Sequence, residues 1–152
     1  MHYAYFDDLK LGDRFETQGR TLTEADIIGF AAAYDPQYFH MDIEAAKGGP
    51  FGGLIASGFQ TLVTGYRMLF QSCYVAPDAS LGSPGIDELR WVKPVKPGDT
   101  LRMRGEVIEL RPSSSKPDRG VARFRLEVVN QQGEPVMTLA PMWILKKRPS
   151  GA

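Results

Sequence analysis

Between Phe59 and Pro77 the chain carries no aspartate or glutamate, and helical spacing leaves almost no polar side. Phe59, Leu62, Val63, Tyr66, Leu69, Phe70 and Cys73 fall on one apolar face, while Thr61, Thr64, Gly65 and Met68 make a second side that is small and barely polar. A helix apolar nearly all round is a buried one, so the rest of the chain must cover it. From Ile86 onward the period changes to two. Leu101, Met103 and Val107 alternate with Arg102, Arg104 and Glu106; Ala122, Phe124, Leu126 and Val128 alternate with Arg123, Arg125 and Glu127. Such strands have one buried and one wet face. The last segment, Val136–Lys146, is apolar on both faces and reads as a central strand, with a bulge expected at Pro141. Gly105, on the inward side, is expected to face the buried helix at close approach. The class is α+β: an antiparallel sheet wrapped around a central helix. The 152 residues suit one domain over 1–152.

Ahead of that helix, the Gly12-Asp13 turn leads into two short strands near Arg14–Thr17 and Gly19–Leu22. Thr23 is an N-cap with Asp26 as its partner, and Ile27, Phe30, Ala31 and Tyr34 then share one helical face. Pro36 pushes Asp35 out of the α region, so the helix stops near Tyr34. Asp42 caps a short helix over Ile43–Lys47, which Gly48-Gly49-Pro50 breaks. Ser57 caps the buried helix, and Gln60 completes its capping box. Residues 111–120 read as an exposed loop and 131–134 as a turn.

Asp35 and His40 stand five residues apart on what reads as a loop between helices. A carboxylate and an imidazole can hold a water between them and exchange its protons near neutral pH. On spacing alone the plainer reading is the stronger: a turn aspartate before proline and a histidine that packs. His2 belongs to a terminus expected to fray, which leaves His40 for a folded site. Gly58, at the first helical position, offers a backbone N–H to an anion or developing oxyanion. Tyr38, Phe39 and Tyr66 are candidates to line an acyl pocket, although core packing is the default for such residues. Arg90, Lys93, Lys96, Arg102 and Arg104 form a loose basic set, more often the wet face of strands than a phosphate site.

Lys plus Arg equals Asp plus Glu at 18 each, which argues against non-specific nucleic-acid binding. Cys73 is the only cysteine, so neither an intrachain disulfide nor a thiolate metal cluster is available. With no other His or Cys placed to complete a shell, no metal is expected. No apolar run of about 18 residues and no leader stand out, so no membrane partner and a cytoplasmic setting are expected.

The ordered motifs Asp35-Pro-Gln-Tyr-Phe-His40-Met-Asp42, Phe51-Gly-Gly-Leu-Ile-Ala-Ser-Gly58 and Pro94-Val95-x-x-Gly98-Asp99 resemble those of the MaoC-like family of hot-dog-fold (R)-specific enoyl-CoA hydratases and dehydratases. The likeness covers nearly the whole chain. It implies a hot-dog fold, with Asp35 and His40 as a catalytic dyad and the Gly58 N–H polarising a thioester carbonyl. It implies reversible hydration of a trans-2-enoyl-CoA to an (R)-3-hydroxyacyl-CoA, without a cofactor beyond the coenzyme A of the substrate. Gln37, Tyr38, Phe39, Ser57, Tyr66 and Arg90 become candidate substrate-binding residues. The family also implies a homodimer or dimer-based assembly, with the acyl tunnel between subunits and the Arg90–Arg104 cations near coenzyme A phosphates. This chain departs from the pattern at four places: Gln37 replaces asparagine, Tyr38 replaces proline, Ser57 replaces the histidine before Gly58, and Tyr66 stands where the family can carry a serine two turns into the helix. Two alternatives stay open, a hot-dog acyl-CoA thioesterase and a non-catalytic acyl-thioester-binding subunit. Many such thioesterases use a carboxylate on the central helix, which this helix lacks.

Overall fold

Period-two alternation becomes a sheet whose inward side chains are sealed from water. In the computed structural model, which describes residues 3–151 and so leaves His2 outside the described residues, the long strands are β4 (Thr100–Pro112), β5 (Arg119–Val129) and β6 (Pro135–Lys146). The short ones are β1 (Arg14–Glu16), β2 (Arg20–Thr21) and β3 (Gly85–Trp91). The antiparallel order is β1-β4-β5-β6-β3, with β2 also on β4. Met103 pairs with Val128 and Gly105 with Leu126 across β4–β5; Val128 pairs with Met137 across β5–β6. Leu101, Met103, Phe124, Leu126, Val128 and Met137 are completely buried, as the alternation predicts. The hairpin loop is shorter than expected, 113–118, because the pairing runs on to Pro112↔Gly120. Gly120 is where the Phe6 ring rests, since a Cβ there would meet Phe6 Cζ at 2.3 Å.

The bulge expected at Pro141 lies elsewhere. Pro141 pairs with Ile86, and β5–β6 keeps one register on either side of it. The irregularity falls on β3 between Asp87 and Arg90, where Glu88 takes φ 54°. Gly105 is also corrected. Its missing Cβ is replaced by the Phe15 ring of β1, whose Cε1 and Cζ would stand 2.2 Å away, and not by the helix.

The described residues form four α-helices, α1 (Glu24–Tyr34), α2 (Tyr38–Met41), α3 (Ile43–Lys47) and α4 (Gly58–Gln71), of which α4 packs on β4. Thr23 and Asp26 form the reciprocal capping box of α1, and Asp42 caps α3 through the Ala45 N–H. Ile27 and Ala31 of α1 are buried, whereas Tyr34 is exposed beside Phe30 on the rim. Helix α4, expected to be buried nearly all round, is buried along one side and open along another. Its buried residues are Gln60, Thr61, Thr64, Gly65, Met68 and Leu69, while Phe59 (55% exposed), Val63 (52%) and Phe70 (50%) look outward. The reason is proximity to the sheet. A Cβ on Gly65 would stand 2.7 Å from Met103 Cε and 3.0 Å from Val128 Cγ2, so only the small side of α4 fits there. Gln60 makes no capping box; its Nε2 donates to the Asp26 carbonyl at 2.9 Å and ties α4 to α1. A helix laid along an antiparallel sheet in this way is the α+β hot-dog architecture. No helix among the described residues is long and apolar enough to cross a membrane.

Candidate active site

Asp35 is the C-cap of α1, at φ −151° and ψ 70°, with its N–H donating to Ala31 O at 2.9 Å. Pro36 forces this departure from helical backbone. The next residues wind into α2, which the sequence reading took for loop; a single four-residue turn is too short to show a period. Winding carries His40 inward to 3% exposure. Its Nδ1 lies 2.7 Å from the Ile55 carbonyl, and the Phe39 carbonyl accepts from the Ile55 N–H at 3.0 Å. A carbonyl only accepts, so Nδ1 carries the proton and Nε2 is the nitrogen turned to Asp35, 3.3 Å from Oδ2. The Phe39 ring stands edge-on to the imidazole at 4.6 Å.

The Asp35 carboxylate sits at the negative end of the α1 dipole, which disfavours it. Two side chains offset this: Gln37 Nε2 donates to Oδ1 at 2.8 Å, and Ser57 Oγ donates to Oδ2 at 2.7 Å. Burial pushes the Asp35 pKa up, but the hydrogen bonds from Gln37 and Ser57 and the charge of His40 outweigh it and hold the carboxyl below its usual range.

Asp35, His40 and Gly58 line one cleft of about 410 Å³. Gly58 is the first residue of α4, so its N–H has no intrahelical acceptor. The glycine is required by packing, because a Cβ would lie 2.4 Å from Trp91 Cε2 and Nε1. Gln37 and Phe39 also line the cleft. Ser57 is completely buried behind the wall, bonded to Asp35. Three further candidates stand outside the cleft. Tyr38 lies over Gly49, whose Cβ would meet its hydroxyl at 3.1 Å. Tyr66 packs edge-on to Trp143 at 5.9 Å, and burial pushes its pKa up to about 12. Arg90 donates to its neighbour's carbonyl, Leu89 O, and lies with Arg125, Glu127 and Thr138.

Of the basic set, Lys93 lines the cleft, paired with Glu134; Arg102 and Arg104 pair with Glu16 at 3.8 and 3.1 Å. The opposite wall, Trp91 to Val95, was missed except for Lys93 and the Pro94-Val95 motif. It begins at Trp91, the last residue of β3, and runs on irregularly without a period, placed by long-range bonds: Ala56 N–H to Val95 O at 2.8 Å and Val92 N–H to Val136 O at 2.9 Å. No group of three or more His, Cys, Asp or Glu side chains is placed to hold a metal among the described residues.

Helix α4 on its sheet, with a carboxylate–imidazole pair facing the helix N-terminus, defines a hot-dog protein with an acid–base cleft. The MaoC like domain matches residues 8–129, and this chain belongs to the MaoC-like dehydratase family. It is 32% identical over 126 residues to the uncharacterized protein YdeM of Bacillus subtilis, covering 83% of this chain and 87% of that one. It is 31% identical to a mesaconyl-CoA hydratase of Cereibacter sphaeroides, over 97% of this chain but 43% of the relative. A match to protein MaoC of Klebsiella aerogenes, 41% identical, covers 66% of this chain and 29% of that protein. The chain thus spans most of YdeM but less than half of the other two. Among solved structures, a MaoC-like dehydratase from Rhodospirillum rubrum superposes with TM-score 0.88 at 36% identity, covering 96% of this chain and 99% of that one.

Proposed function

We propose that the protein is a hydro-lyase that adds water across the double bond of a trans-2-enoyl-CoA to give an (R)-3-hydroxyacyl-CoA, or runs the reverse dehydration. One observation carries this reading: the His40 Nε2–Asp35 Oδ2 pair at 3.3 Å shares an apolar-walled cleft with Gly58, the first residue of α4. In this reading the thioester carbonyl meets the Gly58 N–H, where the helix dipole stabilises an enolate oxygen. Water held between Asp35 and His40 attacks the β-carbon, and a proton returns to the α-carbon on the same face. The chemistry needs no metal or redox cofactor, and coenzyme A enters as part of the substrate.

The assembly belongs to the same proposal. Strand β3 pairs only with β6 in the sheet order, and Ile86, Trp91, Val92 and Phe59 are exposed apolar residues at or near that edge. A second copy that continues the sheet at β3 would cover them, with a total interface above about 1,200 Å². The test of function is turnover of crotonyl-CoA, followed by loss of enoyl absorbance with chiral analysis of the product. Formation of the (R)-3-hydroxy thioester is expected. Hydrolysis to free coenzyme A, or binding without turnover, would replace this reading with a thioesterase or a thioester-binding subunit.

A further inference from the structure

We propose that Ser57, with Gln37, is a positioning residue that clamps Asp35 as a carboxylate and leaves His40 Nε2 as the atom that carries the proton. The proton-carrying half rests on the hydro-lyase reading above; the clamp stands on geometry alone. Ser57 Oγ makes two bonds. It accepts from the Phe59 N–H at 3.2 Å and donates to Asp35 Oδ2 at 2.7 Å. The Phe59 donor occupies one face of the hydroxyl oxygen and turns its proton to the carboxylate. Gln37 Nε2 donates to the other oxygen, Oδ1, at 2.8 Å. Each carboxylate oxygen thus accepts a side-chain donor, an arrangement that favours the ionised form.

Ser57 is completely buried and is not part of the cleft wall, so it acts through Asp35 and not on substrate. It also caps α4, so one hydroxyl fixes the carboxylate relative to the helix turn that carries the Gly58 N–H. Two other titratable groups share the cleft with Asp35: His40 from α2, and Lys93 from the β3–β4 connection, which is paired with Glu134. From α4, the side chain that reaches Asp35 is the neutral Ser57.

The proton balance follows. As water oxygen bonds to the β-carbon, its O–H breaks and the proton goes to His40 Nε2, while the alkene pair forms the enolate double bond between the α-carbon and the carbonyl carbon and the carbonyl pair moves onto its oxygen. The imidazolium N–H then breaks as the α-carbon–hydrogen bond forms. Asp35 stays ionised throughout, orienting the water and facing the transient imidazolium.

The experiment is a carbon-13 NMR titration of the Asp35 carboxyl in the folded full chain, in wild type, Ser57→Ala, Ser57→Thr and Gln37→Leu, with crotonyl-CoA kinetics beside it. The Asp35 midpoint is expected to move up in Ser57→Ala and Gln37→Leu and to stay low in Ser57→Thr, which keeps the hydroxyl. In Ser57→Ala, kcat should fall about tenfold or more, the worth of one hydrogen bond to a charged group, with KM held. An unmoved midpoint in both Ser57→Ala and Gln37→Leu overturns the clamp, as does a KM rise with kcat intact. Gln37 is exposed, so its variant carries the test if Ser57→Ala fails to fold. The titration needs no turnover. Inactivity of the wild type would therefore sink the hydro-lyase reading and the proton-carrying role of His40, and leave the clamp to its own result.

Discussion

The two ends of one helix surface differ in kind. At the N-terminus of α4, polar groups are buried and mostly bonded: Ser57 to Asp35 and to Phe59 N–H, Gln60 Nε2 to the Asp26 carbonyl, and His40 to Ile55 across the next segment, while Gln60 Oε1 is buried without a partner. Along its outward flank, Phe59, Val63 and Phe70 are apolar and half exposed. Most buried polar groups find a partner, and exposed apolar patches on a surface often mark sites of interaction. We propose chemistry for the corner and association for the flank.

Substitution at His40 should separate these regions most sharply. His40→Ala removes a proton-transfer group, worth about 10²–10⁴-fold in rate. It also strands the buried Ile55 carbonyl, at a cost of about 1–3 kcal/mol. Turnover and melting temperature should fall together. His40 lies on α2 and is buried, so its substitution touches the fold as well as the chemistry. On the flank, Val63→Asp, one turn from the Phe59 of the proposed interface, should leave each chain folded but convert the proposed dimer to monomer, read by light scattering. An unchanged mass would remove the flank from the interface.

Between the two lies the tight contact of α4 with the sheet. Gly65→Val should overpack against Met103 and Val128 and cost about 1–3 kcal/mol, seen as a lower urea midpoint. An unchanged midpoint would mean that α4 does not approach the sheet through its small side. Acid gives the smallest effect. Asp35 has a folded pKa below its unfolded value near 3.9, so its contribution is fully present above that value and is lost as pH falls through the lower folded one. The melting-temperature difference between wild type and Asp35→Asn should shrink, in favour of the variant, as pH drops below about 4. A difference independent of pH would show that the carboxylate is not held by its donors.

Much of this was legible in the residues. Thr23–Asp26 and Asp42 mark helix starts by local hydrogen bonding, and the alternation of Leu101–Val107 and Ala122–Val128 reports a face directly. The orientation of α4 was not legible, because periodicity divides a helix into sides without saying which one a sheet approaches. Gly65 held the signal, read as merely small. The Phe15 ring over Gly105 and the Trp91–Val95 wall depend on partners far away in sequence, and no window contains them. Asp35 and His40 were found, but their bonds to Ser57 and Ile55 came only with the fold.

The central claim is that the Asp35–His40 pair performs the chemistry of the cleft. The direct measurement is the rate of crotonyl-CoA hydration by Asp35→Asn, on protein whose melting curve shows it folded. A loss of about 10²–10⁴-fold relative to wild type is predicted. Near-normal turnover in the folded variant would contradict it.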